Sequence, residues 1–375
     1  MSHEFTIGLS VGTQPPLRRI GTLTRLARAL RFDVAWVVDH FLGFYPSKIW
    51  DEQFSWLAKP GSTPHAYFDY QTLLGYLAPR AGGLQLAVGV TEPIRRHPVL
   101  IAQAFLTLSH MVKRPPILGI GAGERENIEP YGLSFDKPVG RLEEALQVIR
   151  LCFAAEGPID FDGRFFRLEH ALMDLRPAPE RTPELWIAAH GPRMLELTGR
   201  FGDGWFPTMA MSVEAYEQRL TMIHHHARSA GRDPQAIVPG YQMLTVIGRT
   251  ERAARALLDS RPIRFTALLA PAALWEERGL AHPLGVGHRG YVDFLPERYE
   301  RAELEAAMRQ VDTDLVADLM VWGTPQSVGQ RLADYRDAGL RHLVLSPASA
   351  LISRRDALYS LRSMVAIQRR FKAGS

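Results

Sequence analysis

The sequence predicts an α/β fold of the (β/α)₈ type, a TIM barrel in which eight parallel strands are surrounded by helices. Short apolar runs rich in strand-forming residues recur along the 375-residue chain, and helical patterns separate them. Such alternation is typical of parallel strands joined by helical crossovers. Eight strand–helix units spread over residues 1–375, with no low-complexity linker, favour one closed barrel domain over an open sheet or two domains.

The strand and helix predictions follow the apolar periodicity of each segment. The predicted strands are 6–11, 34–38, 84–90, 116–121, 184–189, 203–207, 238–248 and 342–346. The predicted helices are 17–30, 70–77, 98–112, 139–155, 192–199, 213–230 and 355–371. Pro98 suits the first position of its helix, where a missing N–H costs nothing.

Three connections are too long for simple loops and are expected as insertions in the strand-to-helix loops of the barrel. Residues 41–70 hold nine aromatic side chains, which suit either an apolar substrate or a dimer interface. Residues 156–182 are predicted to form a hairpin with an Asp-Gly turn. Residues 249–323 combine helical patches with a loop rich in Gly and Pro. Long structured insertions usually carry function.

Composition and charge exclude several classes of protein. The net charge of +4 comes from scattered basic residues, without the density of a nucleic-acid-binding arm. The single cysteine, Cys152, excludes an internal disulfide and is expected in the core. No apolar stretch reaches the length of a membrane span, and the first ten residues lack the pattern of a signal peptide. We therefore expect a cytoplasmic protein that does not span a membrane.

Polar residues and glycines stand where the predicted strands end, on the face that carries function in such barrels. A histidine there can exchange a proton near neutral pH, and alternate glycines let the backbone approach a flat ligand. Small residues before a helix that starts at proline expose N–H groups to an anion. Caps and stiffened loops are the structural alternatives. The segments are Asp39-His40, Gly89–Pro98, Gly119–Glu124, Ala188–Met194 and Pro207-Thr208.

Two other interpretations of these motifs fail on their context. The glycines at 119–123, with Glu143 about 20 residues on, superficially match a dinucleotide-binding fingerprint. A charged, turn-rich segment follows them, however, where that fingerprint needs an apolar helix. A run of three histidines could suggest a metal site. However, His224, His225 and His226 are adjacent on one predicted helix, where their side chains point in different directions and cannot bind one ion together. No metal site is expected.

Four of these motifs, in order and in register, resemble the bacterial luciferase-like superfamily and its branch that uses the deazaflavin coenzyme F420. They are DH at 39–40, V-T-x-P-x-x-R-H-P at 90–98, G-x-G-x-G-E at 119–124 and A-A-H-G-P at 188–192. Within that branch, GIGAGERENIEPYG, KPVGRLEEAL and WIAAHGPRMLELTGR resemble the phthiodiolone dimycocerosate ketoreductase group. The resemblance covers nearly the whole chain.

The resemblance implies a role for each motif residue. His40 would lie next to the reacting carbon, and Glu124 would donate or accept a proton. The coenzyme would be bound by Asp39, Gly89, Val90, Thr91 and Gly123 along its ring and by Ala189, His190, Gly191 and Pro192 at its phosphate, with a cis peptide at Gly89–Val90. Phe44 and Met211 replace a tryptophan and a lysine of sugar-phosphate-specific relatives, and with Thr208 they would face a more apolar substrate.

The function implied is hydride transfer between F420 and a ketone or alcohol, with a small-molecule or lipid-like carbonyl substrate. An FMN-dependent monooxygenase on the same barrel is one alternative, since a barrel does not determine its cofactor. A non-catalytic barrel that binds F420 or a lipid is another. Dimers are common among barrels of this resemblance, so a homodimer is expected.

Overall fold

The barrel strands and their partners define the fold. A computed structural model of the protein describes residues 4–373. Its strands are β1 (Thr6–Ser10), β2 (Val34–Val37), β3 (Gln85–Thr91), β4 (Ile117–Ile120), β5 (Ile159–Asp162), β6 (Arg167–Ala171), β7 (Glu184–Ile187), β8 (Gly204–Trp205), β9 (Val238–Ile247), β10 (Val321–Gly323) and β11 (His342–Pro347).

Eight of these strands close into a parallel barrel. The order is β1-β2-β3-β4-β7-β8-β9-β11, and β11 pairs with β1 to complete the circle. Every pairing within the barrel is parallel. The remaining strand of this sheet, β10, pairs with the far end of β9. The predicted TIM barrel is therefore confirmed.

Helices surround the barrel and fill the last insertion. Four of them begin at a proline, which fits the first helical position. No helix within residues 4–373 is long and apolar enough to cross a membrane. The helices are α1 (Leu17–Ala29), α2 (Tyr70–Ala81), α3 (Pro98–Met111), α4 (Pro138–Ala154), α5 (Pro192–Phe201), α6 (Val213–Ser229), α7 (Glu251–Leu258), α8 (Arg261–Ala267), α9 (Ala272–Glu276), α10 (Arg301–Arg309), α11 (Thr313–Asp318), α12 (Pro325–Asp337) and α13 (Arg354–Ala373).

The insertions after β2 and β9 pack against each other and form a second hydrophobic core. Ile49 and Phe54 of the first insertion are buried in this core with residues of α7 to α11. The ring of Phe54 meets that of Phe265 on α8 edge to face, with centroids 5.8 Å apart. Much of the aromatic cluster at 41–70 thus packs against the insertion at 249–323.

The hairpin at 156–182 is confirmed, but its predicted location is wrong. Strands β5 and β6 pair antiparallel, and they follow α4 and precede β7. The hairpin is therefore part of a helix-to-strand connection, whereas the other two insertions lie in strand-to-helix loops. Glu144 on α4 explains how the hairpin is held, because its carboxylate accepts the backbone N–H groups of Arg164, Phe165 and Phe166 at 2.8–3.0 Å. Cys152 is buried on the same helix, as predicted.

Aromatic rings fill the barrel interior and require small neighbours. Trp36 stacks on Phe206 with centroids 4.3 Å apart, and Trp186 meets Trp36 edge to face. A Cβ atom at Gly89 would lie 2.8 Å from the Trp36 ring and 2.9 Å from that of Phe206. Any larger residue at position 89 would displace these rings, so the glycine at the end of β3 is a packing requirement of the barrel.

His342 is a neutral histidine at the opposite end of the barrel. The indole N–H of Trp36 donates to its Nε2 at 3.1 Å. The ring proton must therefore be on Nδ1, which donates to the hydroxyl of Thr6 at 2.7 Å. Burial lowers the pKa of His342 to about 3, with a smaller contribution from the charge of Arg114.

This histidine should make stability depend on pH. Between the unfolded pKa of about 6.5 and the folded pKa, the unfolded chain binds a proton that the folded protein excludes. The free energy of unfolding therefore falls as pH decreases below about 6.5, by at most about 1.4 kcal/mol per pH unit from this group. His342→Gln loses this pH dependence of the free energy of unfolding. The difference in unfolding free energy between wild type and variant should therefore be smaller at pH 4 than at pH 7, as measured by urea titrations. The exposed His225→Gln serves as control, and a constant difference for His342→Gln would contradict the account.

Candidate active site

The ends of β2, β3 and β4 bring five of the predicted residues together. Asp39 and His40 follow β2, Thr91 ends β3, and Gly123 and Glu124 follow β4. The Thr91 hydroxyl donates to the Asp39 carboxylate at 2.7 Å, which joins the first two strand ends directly. His40 and Glu124 are also close, since a ring nitrogen of one and a carboxylate oxygen of the other lie within 4.8 Å.

Two arginines hold the Asp39 carboxylate. Arg95 and Arg96 approach its Oδ2 atom at 2.9 and 3.0 Å. The side chains of Asp39 and Arg95 are each 3% exposed, so the pair is shielded from water. Arg95 also pairs with the buried Glu92. These partners lie in the 90–98 motif, yet the sequence analysis gave them no role. Removal of Arg95 would leave the buried Glu92 carboxylate without its ion-pair partner.

The backbone beside this cluster has the expected cis peptide at Gly89–Val90. Thr91, two residues along β3 from Gly89, is fully buried. At Gly123 the backbone has a φ of +91°, which favours glycine. A Cβ atom there would also lie 2.8 Å from the Ile128 side chain. The loop after β4 therefore depends on glycine at position 123.

Asn127, which the sequence analysis missed, connects the loop after β4 to the loop after β2. Its Oδ1 atom accepts the backbone N–H groups of Phe41 and Leu42 at 2.6 and 3.1 Å. Only the oxygen of an amide can accept, so these bonds determine which way the side chain points. Its NH₂ group consequently faces His40 Nδ1 at 2.9 Å and Glu126 Oε1 at 2.8 Å.

The orientation of Asn127 assigns the tautomer of His40. An NH₂ group can only donate, so Nδ1 of the neutral ring accepts and the ring proton is on Nε2. No hydrogen-bond partner of Nε2 is found among residues 4–373, whereas Nδ1 accepts from Asn127 at 2.9 Å. The Leu42 carbonyl lies 3.1 Å from Nδ1 but is an acceptor, so it makes no hydrogen bond with this tautomer. The His40 side chain is 15% exposed. His40 therefore presents an accessible N–H donor.

Glu126 is a second carboxyl group at this site and was also missed. Its side chain is fully buried, and its Oε2 atom receives no hydrogen bond within the described residues. Two causes raise the pKa of Glu126 well above its ordinary value: burial, which is the larger, and the nearby Glu124 carboxyl group. Glu126 Oε1 lies 3.8 Å from His40 Nδ1. The site therefore joins a histidine to two carboxyl groups with unequal environments.

Aromatic side chains enclose His40. The Phe44 ring meets the His40 ring edge to face, with centroids 5.1 Å apart. The centroid of the Tyr67 ring lies 5.6 Å from that of His40. The ring of Tyr291, from the insertion after β9, contacts that of Phe44, with centroids 4.7 Å apart. Burial, with the charge of Glu126, raises the pKa of Tyr67 to about 12, so its hydroxyl is neutral at physiological pH. Both long insertions thus help to build an apolar wall beside the histidine.

The predicted phosphate site lies at the start of α5. Gly191 directly precedes the helix and has no side chain that could cap it. A Cβ atom at this position would have no neighbouring atom within 4 Å. The preceding His190 has a buried Nδ1 atom without a partner in residues 4–373. Burial, followed by the charge of Arg219, lowers the pKa of His190 to about 4, so the ring is neutral. Ala189 and Pro192 complete the segment, whose uncapped N–H groups suit an anion.

The predicted substrate residues fall into two places. Phe44 contacts His40, whereas Thr208 and Met211 line a cleft of about 1160 Å³ beside β9 and β10. Apolar side chains of Met243, Leu274 and Trp322 also line this cleft, together with several arginine, aspartate and glutamate side chains. Arg219 reaches the Met211 sulfur at 3.4 Å. The residues that line this cleft do not include His40 or Glu124.

Comparison with known proteins identifies the family. A family model described as luciferase-like monooxygenase matches residues 1–342. The chain belongs to the luciferase-like family. Over 98% of this chain and 99% of the relative, it is 36% identical to phthiodiolone/phenolphthiodiolone dimycocerosates ketoreductase of Mycobacterium sp. (strain JLS). The resemblance noted in the sequence is therefore confirmed.

Solved structures share the same luciferase-like fold. An F420-dependent secondary alcohol dehydrogenase, in complex with an F420–acetone adduct, superposes with a TM-score of 0.72 at 20% identity, over 92% of this chain and 94% of the other. A riboflavin lyase with modified FMN and riboflavin superposes with a TM-score of 0.71 at 15% identity, over 98% and 92% of the two chains. At these identities, the two likenesses establish the fold alone.

The tautomer of His40 can be tested by removing the amide that sets it. In Asn127→Ala the donor to Nδ1 is gone while the Leu42 carbonyl remains, so the ring proton should move to Nδ1. We expect ¹⁵N NMR of histidine-labelled protein, with His40 assigned through His40→Gln, to show Nε2–H in the wild type and Nδ1–H in the variant. Gln71→Ala is the control for loss of a remote amide. An Nδ1–H ring in the wild type would contradict the assignment.

Proposed function

We propose that this protein is an oxidoreductase that uses coenzyme F420 to reduce a ketone to a secondary alcohol, or to oxidise the alcohol in the reverse direction. The observation that carries the proposal is the histidine N–H donor beside two carboxyl groups at the ends of β2 and β4. A relative of similar length is a ketoreductase, and a structure of the same fold contains F420 bound to acetone. Both support this chemistry.

The residues present fit a deazaflavin with an anionic tail. Asp39, Gly89, Val90, Thr91 and Gly123 would hold the ring, at strand ends where glycine keeps the backbone accessible. The segment Ala189–Pro192 would hold the phosphate, because it offers uncapped N–H groups and the partnerless Nδ1 atom of His190. When bound, F420 supplies or accepts the hydride.

The chain's own residues would handle the oxygen of the substrate. His40 Nε2–H would donate a hydrogen bond to the carbonyl oxygen and stabilise the negative charge that develops there. Glu124 lies within reach of the same space and would exchange the proton, directly or through water. His40 and Glu124 orient the carbonyl, and the aromatic wall of Phe44, Tyr67 and Tyr291 excludes water from it.

An apolar or lipid-like ketone is the proposed substrate class. Phe44 places an apolar ring against His40, and Met211 puts a thioether in the separate cleft beside β9 and β10. Neither side chain binds a phosphate or a sugar, whereas both make favourable contacts with hydrocarbon. The cleft of about 1160 Å³ is also larger than a small metabolite requires.

A monooxygenase that uses FMN is the second candidate. It is favoured by the description of the matching family model and by the FMN-containing structure of the same fold. The two candidates differ in their need for a proton donor at a carbonyl oxygen. The arrangement of His40, Asn127 and Glu126 supports the ketone chemistry, because it places an N–H donor beside two carboxyl groups.

Replacement of His40 tests the proposed chemistry. His40→Ala should leave the affinity for F420 nearly unchanged and lower turnover by about 10²- to 10⁴-fold, the usual contribution of an acid–base group. Turnover is measured as reappearance of oxidised F420 absorbance with aliphatic ketones, lipid-like ones first. His225→Ala, on the outer face of α6, is the matched control. Equal turnover in His40→Ala and wild type would remove His40 from the mechanism.

A further inference from the structure

Glu126 is a buried carboxyl group to which the proposed reaction so far assigns no step. Its side chain has no exposed surface, and its Oε2 atom receives no hydrogen bond from any residue between 4 and 373. An ionised carboxylate in that position would lose its hydration at Oε2 with no hydrogen bond from the described residues to replace it, which is costly. Glu126 is nonetheless next to the residues that face the substrate, because its Oε1 atom accepts from Asn127 and lies 3.8 Å from His40 Nδ1.

The neighbours of Glu126 favour its neutral form. Carboxylate oxygens of Glu124 and Glu126 lie within 4.8 Å of each other, so two negative charges would repel at close range and the pair favours holding one proton. Arg95 acts in the opposite direction, but Asp39 and Glu92 already pair with its guanidinium. The titratable and charged groups that surround Glu126 are His40, Tyr67, Arg95, Glu124 and Tyr131.

We propose that Glu126 is a positioning residue that shares one proton with Glu124 and so keeps a transferable proton beside His40 at neutral pH. The inference rests on the proposed ketone reduction and adds the source of its proton. Two carboxyl groups in close contact titrate as a pair, in two steps that are far apart. Between those steps the pair holds one proton, and the unequal burial of its members places that proton mainly on Glu126.

The proposed step balances in atoms and charge. The carbonyl carbon would accept a hydride from the reduced coenzyme, which would be oxidised by two electrons; a C–H bond would form, and the π electrons of the C=O bond would move to oxygen. The oxygen receives one proton from Glu124, and Glu124 receives the proton of Glu126. The pair is left with two negative charges in a buried site and takes up one proton from solvent before the next turnover. In the oxidative direction each transfer is reversed.

Glu126→Gln removes the acidic proton of the side chain and keeps nearly the same shape. Glutamine still accepts from Asn127 and can donate an N–H to Glu124, but it has no acidic proton. We expect kcat for ketone reduction to fall by about 10- to 100-fold, at or below the lower end of an acid–base contribution, with little change in KM. The alkaline limb of the pH profile should move to lower pH, because the like-charged partner that makes the pair retain a proton is gone. Glu126→Asp should recover part of kcat.

Glu129→Gln is the matched control. Glu129 lies three residues further along the same loop and pairs with Arg125 at a partly exposed position. Its kcat, KM and pH profile should remain those of the wild type. A merely structural Glu126 would instead give a Gln variant that loses stability while its pH profile stays unchanged, and that result would overturn the proposal.

Infrared spectroscopy tests the shared proton without turnover. Protein without coenzyme, treated with EDTA, should show a carboxylic-acid C=O band at pH 7 that disappears at alkaline pH and is missing in Glu126→Gln. The same band should persist in Glu129→Gln. Its absence from the wild type at pH 7 would overturn the proposal even if F420 chemistry were established. Its presence in a protein that reduces no ketone would show that the proposed function, and not the shared proton, had failed.

Discussion

Parallel pairing of β2, β3 and β4 is the constraint on which the rest of the site depends. Because neighbouring strands run the same way, the residues that follow them emerge at one edge of the barrel. Thr91 then reaches the Asp39 carboxylate, Asn127 reaches the backbone after His40, and Glu124 meets His40. The loops are held to one another by hydrogen bonds and buried ion pairs, so the geometry of the histidine follows from the strand register.

The long insertions enclose this site with aromatic side chains. The segment after β2 supplies Phe44 and Tyr67, and the segment after β9 supplies Tyr291, so neither insertion builds the apolar wall alone. Their mutual packing explains why the aromatic cluster at 41–70 is so dense. An enclosed, apolar site strengthens each charge interaction within it and keeps buried acids neutral. The proposed substrate preference and the proposed proton chemistry therefore have a common structural origin.

Sequence reasoning was sufficient for the barrel, the strand-end motifs and the cis peptide, because apolar periodicity and family motifs report on them directly. It missed Glu126 and Asn127, which occur in a charged, turn-rich segment where no periodicity indicates burial. One signal was available, since Asn127 is the only asparagine of the chain. It also left α12 unassigned despite Pro325 at its first turn, and it misplaced the hairpin, whose anchor on Glu144 is a tertiary contact.

The choice of coenzyme is the central claim, and a fluorescence titration of the purified protein with F420, run beside one with FMN, tests it most directly. The account predicts saturable binding of F420 at micromolar or lower concentrations and much weaker binding of FMN. Gly191→Glu, which would place a negative charge at the start of α5, should weaken the binding of F420. Preference for FMN, or binding of neither coenzyme, would contradict the account.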